Sequence, residues 1–286
     1  MTRRLLLMWM AGALAATAQP RFSFGVLTDI QYGDQATAGK RDYRASLRKL
    51  REAVPELNRE QLDFVIQLGD LIDSKAVDLE PILSVFNQLT PPRYNVLGNH
   101  DFAASRAILK QSFGQPAYYS FSAKGWRFLI TDGMDVSVRE PAGAQILEAL
   151  QKRGAANAHE WNGAIGGEQL KWLQAELDDA GRKHERVIVF CHFPLLAKAS
   201  TPAHLLWNYD EVLQVLESHP AVVAWFNGHD HAGGYAEQNG IHHVTFPGMV
   251  ESGSRNSYTV VRVYEDRLEL DGTGTAPHRV LQLQAQ

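Results

Sequence analysis

Side chains able to hold divalent cations are concentrated in five short stretches of the sequence. They are Asp29-Ile30-Gln31, Gly69-Asp70, Gly98-Asn99-His100-Asp101, the isolated His192, and Gly228-His229-Asp230-His231. Carboxylate and amide oxygens with imidazole nitrogens form a donor set that suits divalent first-row metals. Taken singly, each stretch has an ordinary reading. Asp-x-Gln and Gly-Asp occur as turns or helix caps in many proteins, and a histidine after a strand is most often a satisfied polar residue. Gly-His-x-His is rarer, arising by chance in about one chain in a hundred at ordinary residue frequencies. Their positions join them. Each follows directly on a short apolar run, at residues 22–28, 63–68, 94–97, 186–191 and 222–226. All five in this order, each at a strand end, make coincidence a poor explanation.

Those runs are rich in Val, Ile and Phe and bounded by Gly, Asp, Asn or His, so they read as buried strands, with a sixth at residues 126–131. Helical spacing appears between several of them. Leu47, Leu50, Val54 and Leu57 share one helix face, as do Leu170, Leu173 and Leu177 within residues 168–183, and Val212, Val215 and Leu216 within 209–219. This alternation predicts an α/β architecture with helices covering a sheet. In such sheets ligands gather beyond the carboxyl ends of the strands, so positions far apart in sequence converge. The last third changes character: residues 235–238, 241–246, 258–264 and 268–270 read as strands joined by short turns. A second, more antiparallel sheet packed on the first is the expectation for them. Residues 133–166 form the least regular part, long for a connection and of the kind that serves as a lid or binding loop.

The five stretches resemble the motif set of the calcineurin-like metallophosphoesterase superfamily. Gln31, where most members carry histidine, is similar to one branch, the manganese-dependent ADP-ribose/CDP-alcohol diphosphatases. Leu68-Gly69-Asp70-Leu71-Ile72-Asp73, Glu168-Gln169-Leu170-Lys171-Trp172-Leu173, Trp207-Asn208-Tyr209 and His231-Ala232-Gly233-Gly234-Tyr235 resemble the same branch, and the likeness runs from about Phe24 to the C-terminal strands. It implies a four-layer αββα sandwich, two mixed β-sheets face to face with helices on both outer sides. It also implies two metal ions, one between Asp29, Gln31, Asp70 and His231, the other between Asp70, Asn99, His192 and His229, with Asp70 shared. A carboxylate shared in this way holds two cations roughly 3.5–4 Å apart, the spacing that clamps a phosphoryl group, and water between them loses a proton easily. His100 has no metal in that scheme and is the candidate general acid, because imidazole titrates near neutrality. Asp101 either orients that ring or caps a helix over residues 102–113; both readings stand. Oxygen-rich sites suit manganese or magnesium, although raw affinity favours zinc over manganese, and iron is also compatible.

Composition narrows the partners. Formal net charge is −4 over 286 residues, and no basic block tracks a nucleic-acid backbone. A small phosphorylated substrate is compatible with that balance when metal ions supply the positive charge. Residues 1–18 read as a cleavable signal: Arg3 and Arg4, an apolar run at 5–16, and the small residues Ala16-Thr17-Ala18. The run is too short to span a bilayer. Residues 19–286 then form one catalytic domain, placed in the periplasm or secreted. Thr2-Arg3-Arg4-Leu5-Leu6 resembles a twin-arginine signal, which implies export of a folded, metallated chain. The single cysteine, Cys191, sits in an apolar run and reads as a buried core residue.

Substrate choice falls to the loops at residues 32–40, 133–166 and 197–209. Residues 35–40, Gln-Ala-Thr-Ala-Gly-Lys, carry no aromatic ring to stack on a base. Tyr32, Trp161 and Trp207 are the substitutes, each with ordinary packing as its alternative. His204 either lines the pocket or lies on a surface loop, and at most one of the adjacent His242 and His243 can face the site. Three functions follow. They are a hydrolase of nucleoside-diphosphate-linked compounds such as ADP-ribose or CDP-alcohols, a broader phosphodiesterase or phosphomonoesterase, and a non-catalytic scaffold, which the full set of ligands disfavours.

Overall fold

The computed structural model describes residues 19–284, so the expected export signal at residues 1–18 lies outside the described residues. In chain order the first elements are β1 (Phe22–Leu27), α1 (Tyr43–Arg59), β2 (Phe64–Gln67), α2 (Leu79–Phe86), β3 (Arg93–Asn95) and α3 (Arg106–Phe113). Next come β4 (Tyr119–Ala123), β5 (Trp126–Ile130), α4 (Pro141–Lys152), α5 (Gly167–Arg182), β6 (Arg186–Phe190) and α6 (Tyr209–Glu217). The chain then runs through β7 (Val222–Asn227), β8 (Gly234–Gln238), β9 (Ile241–Thr245), β10 (Ser257–Val263), β11 (Arg267–Gly274) and β12 (Arg279–Gln282).

Two six-stranded mixed sheets result, ordered β12-β11-β10-β1-β2-β3 and β4-β5-β6-β7-β9-β8. Alternation along each strand explains how they stack. Phe22, Phe24 and Val26 of β1 meet Trp126, Phe128 and Ile130 of β5 and Ile188 and Phe190 of β6 in the core between the sheets. Phe24 lies flat on Phe64 with ring centroids 4.7 Å apart and edge-on to Phe128 and Phe190 of the facing sheet at 6.0 Å. The intervening residues, such as Leu27, Val187 and Val189, turn outward to pack with Leu50, Val54 and Ile82 or with Leu173 and Val212 of the helices. Helices therefore cover both outer faces, giving the expected four layers. The helix over Leu50, Val54 and Leu57 is α1, started by Asp42, whose carboxylate accepts from Ala45 N at 3.2 Å.

Three expectations are corrected. The last-third strands do not make a sheet of their own: β8 and β9 complete the second sheet, while β10, β11 and β12 complete the first. Pairing of β10 antiparallel to β1, with Phe22 opposite Val263, lets Val261 and Val263 enter the inter-sheet core. Residues 133–166 contain a regular helix, α4, with Pro141 at its start and Leu147 and Leu150 packed on Trp207. The helix expected over residues 102–113 is interrupted: a short 3₁₀ turn at His100–Ala103 precedes α3, whose cap is Ser105, so Asp101 caps no helix. Cys191 is fully buried, as expected, and burial pushes its thiol up to about 12. Among the described residues no helix is long and apolar enough to cross a membrane.

Candidate metal centre

Within each sheet the relevant strands run parallel, β1-β2-β3 in one and β6-β7 in the other, so their carboxyl ends open on the same edge of the sandwich. Asp29, Gln31, Asp70 and Asn99 come from the first sheet, and His192, His229 and His231 from the second. The turns that deliver them are strained. Asp29, Gln31, Asp70 and His229 adopt φ of 47°, 42°, 57° and 69°, the left-handed region that costs an L-residue about 1–2 kcal/mol. Such strain persists where surrounding contacts over-determine it, and it collects at functional sites. Here Gln31 N donates to Asp70 O at 2.8 Å and Asp29 N to Gly69 O at 3.1 Å, tying the first two turns together. Two glycines permit the close approach. A Cβ on Gly98 would overlap the Asp70 carboxylate, and one on Gly228 would overlap the Thr28 hydroxyl and the Asp29 carboxylate.

Asp70 is fully buried and stands between two groups of donors. Its Oδ1 accepts from His100 N at 2.8 Å, while its Oδ2 lies 3.1 Å from Gln31 Nε2 and 3.2 Å from His192 Nε2. His192 Nδ1 donates to Leu68 O at 2.9 Å; a carbonyl can only accept, so the neutral ring carries its lone pair on Nε2. That Nε2 also lies 3.1 Å from Asn99 Oδ1 and 3.1 Å from His229 Nδ1. The His229 ring is oriented by Asn162, whose Oδ1 is 3.0 Å from His229 Nε2. Asn162 Nδ2 donates to Asn157 O at 3.0 Å and Ala203 O at 2.7 Å, so its oxygen must face the ring, and His229 Nδ1 is left as a second lone pair. With His192 and His229 neutral, a carboxylate, an amide oxygen and two imidazole lone pairs thus converge. One ligand atom each of Asp70, His192 and His229 lies within 4.8 Å of the others.

The second group repeats the pattern. Glu251 Oε1 accepts from His231 Nδ1 at 3.0 Å, so in the neutral ring the lone pair is on Nε2, 3.2 Å from Asp29 Oδ1. Asp29 Oδ2 is occupied by Thr28 Oγ1 at 2.6 Å and His229 N at 3.0 Å, but among the described residues Asp29 Oδ1 and Gln31 Oε1 have no hydrogen-bond partner although both are buried. Buried acceptors without donors cost free energy unless a cation meets them. The electrostatics agree. Burial lowers His192 and His231, but Asp70 and Asp29 outweigh it and push them up to about 9 and about 10. The bond from His231 holds Glu251 down at about 2. Burial and the neighbouring His192 keep His229 well below its ordinary value. The carboxylates ask for positive charge: protons on His192 and His231 supply it without an ion, and divalent cations would replace those protons on both sides of Asp70.

His100 lines the same cleft of about 380 Å³ as Gln31, Asp70, Asn99, His229 and His231. Its Nδ1 lies 2.7 Å from Asp73 O and 3.3 Å from Asp73 Oδ1, which places the proton on Nδ1 and leaves Nε2 for the cleft. Asp101, expected to orient this ring, does not. It is buried, and its carboxylate accepts from the backbone amides of Asp70 at 2.9 Å, Gly98 at 3.0 Å and Leu71 at 2.8 Å. It braces the strained turn at Asp70, while Asp73 orients His100.

Of the remaining candidates, His204 lines the cleft, edge-on to His229 with centroids 5.1 Å apart. Trp161 also lines it. Tyr32 and Trp207 are buried core residues. His242 is held by Tyr235 and by Gln282 O, and neither it nor His243 lines the cleft. Asn162, Glu251 and Asp73 were not expected as site residues. Asp73 had a signal in its place at the end of the Gly69-Asp70 stretch, whereas no local pattern marks Asn162 or Glu251.

A family model described as Calcineurin-like phosphoesterase matches residues 22–233. The chain is 33% identical to the manganese-dependent ADP-ribose/CDP-alcohol diphosphatase of Xenopus tropicalis, over 92% of this chain and 94% of that one. It is 31% identical to the protein of the same name from Arabidopsis thaliana, over 91% and 96% of the two chains. Among solved structures it is similar to a dimetal phosphatase from Danio rerio, with TM-score 0.87 and 30% identity over 93% of this chain and all of the other.

Proposed function

The chain belongs to the calcineurin-like phosphoesterase family and is a metallophosphoesterase; we propose that it hydrolyses the P–O–P bond of nucleoside-diphosphate-linked compounds such as ADP-ribose or CDP-alcohols, giving two monophosphates. The observation that carries the hydrolytic reading is the convergence of metal-ligating atoms around His192 Nε2 and Asp29 Oδ1, with Asp70 between them. The substrate class rests on the relatives' names, matched over more than nine-tenths of each chain.

Asp29, Gln31, Asp70 and His231 would hold one ion, and Asp70, Asn99, His192 and His229 the other, with manganese as the proposed metal. When bound, the pair supplies Lewis acidity toward the phosphoryl oxygens and toward water. The chain's own groups do the rest. Leu68 O, Asn162 and Glu251 hold three imidazoles in the tautomers that leave lone pairs toward the ions. The attacking water gives up one proton to solvent and forms the new P–O bond as the bond to the bridging oxygen breaks. As the imidazolium, His100 would deliver its Nε2 proton to that departing phosphate oxygen while its Nδ1–H stays on Asp73, which fixes the ring from behind.

Purified protein, assayed with manganese on ADP-ribose, CDP-choline, an aryl phosphate monoester and an aryl diester, is expected to turn over the first two fastest. Turnover of the aryl monoester alone would sink the diphosphatase reading. Elemental analysis of the same sample identifies the metal. We further propose export on the basis of residues 1–18. Unchanged export after replacing Arg3 and Arg4 with lysine would remove the twin-arginine route.

A further inference from the structure

Trp161 is 45% exposed, unusual for so large an apolar ring, and it lines the cleft beside His229 and His100. It is not loose. One face lies on the His159 imidazole, with centroids 4.1 Å apart and planes 8° from parallel. The turn beneath is pinned by Asn162 N to His159 O at 3.1 Å and His159 N to Asn157 O at 2.8 Å. Asn157 Nδ2 reaches Leu206 O at 2.7 Å, and Trp207 Nε1 reaches His159 O at 3.2 Å. The next residue, Asn162, is the one that orients His229. Ring position and donor position are therefore fixed by the same turn.

An exposed indole held flat by a backing ring loses little conformational entropy when a second planar group covers it. The loop at residues 35–40 carries no competing aromatic side chain, and Tyr32 is in the core. Resting on the proposed substrate class, we infer that Trp161 is the stacking platform for the nucleobase and sets the preference for nucleoside diphosphates over diphosphates without a base. Base–aromatic stacking tolerates any base, so adenine and cytosine compounds would both be accepted.

The test compares Trp161→Ala and Trp161→Phe with the wild-type chain, using manganese and four substrates: ADP-ribose, CDP-glycerol, CDP-choline and dimethyl diphosphate, which has no base. For Trp161→Ala the ratio of kcat/KM on ADP-ribose or CDP-glycerol to that on dimethyl diphosphate should fall about 5- to 150-fold, mainly through KM. Trp161→Phe should recover most of it. A disturbance passed through Asn162 to His229 would slow all four substrates alike, leave the ratio unchanged, and overturn the inference. A loss confined to CDP-choline would mean that the ring holds the quaternary ammonium, and would also overturn it. If the wild type hydrolyses ADP-ribose and Trp161→Ala keeps the ratio, this inference alone falls. If the wild type cleaves only dimethyl diphosphate, the proposed substrate class falls and takes this one with it.

Discussion

Asn162 Oδ1 sits 3.0 Å from His229 Nε2, and no flip of the amide is available because Nδ2 is committed to two carbonyls. One amide thereby decides which imidazole nitrogen stays free. Asn162→Ala should release the ring and weaken the ion held by Asn99, His192 and His229 by about 10- to 100-fold, the usual cost of losing such an orienting partner. Manganese titration with bound metal counted after dialysis would show one weakened site of two. Two undiminished sites would refute the role.

Glu251 does the corresponding work for His231, at 3.0 Å, while Arg41 Nε holds the same Oε1 at 3.1 Å. Glu251→Ala should weaken the other ion by a similar factor. The pair of variants is expected to fail at different ions, so the double variant should bind neither tightly. Loss of both ions in either single variant would contradict the division drawn between the two donor groups.

The His100 ring is held through Nδ1 by Asp73, which is not among the proposed metal ligands. His100→Ala should leave metal content intact and lower the rate about 100-fold or more on a substrate with a poor leaving group. An activated aryl leaving group should suffer much less. Equal losses on both would argue against proton delivery by this residue.

His243 is 1% exposed, and among the described residues neither ring nitrogen has a partner. Burial holds it down at about 4, against an ordinary value of 6.5. Below pH 6.5 the unfolded chain binds a proton that the folded chain refuses, so stability is full above 6.5 and declines as pH falls toward 4. The whole effect is about 3 kcal/mol. His243→Leu should flatten that limb, read as urea midpoints at pH 7 and 4.5. A variant with the wild-type slope would show that His243 is not its source.

Much of the site was legible in the sequence because each proposed ligand stands within four residues of the end of a strand. Local chemistry there, an apolar run broken by Gly, Asp, Asn or His, reports both the strand and its end. The four layers were legible through the family resemblance, whereas the apolar runs themselves showed strands and covering helices but not which face of each strand enters the inter-sheet core. Partnering of the last strands was not legible. The choice of β10 for β1 and β9 for β7 depends on which chain passes which edge, which periodicity does not encode.

What the sequence determined by itself is the inventory: carboxylates, amides and imidazoles in a fixed order, together with the strands that bring them to one edge. Only the tertiary structure decided where the protons go. Asn162, Glu251 and Asp73 reach His229, His231 and His100 across spans of 67, 20 and 27 residues, through loops with no repeating pattern. It also separated three candidate aromatic rings, burying Tyr32 and Trp207 and leaving Trp161 at the cleft. The physical reason is common to both: a hydrogen bond or a stacked ring requires ångström-scale placement of two distant segments, and packing of the whole molecule is what supplies it.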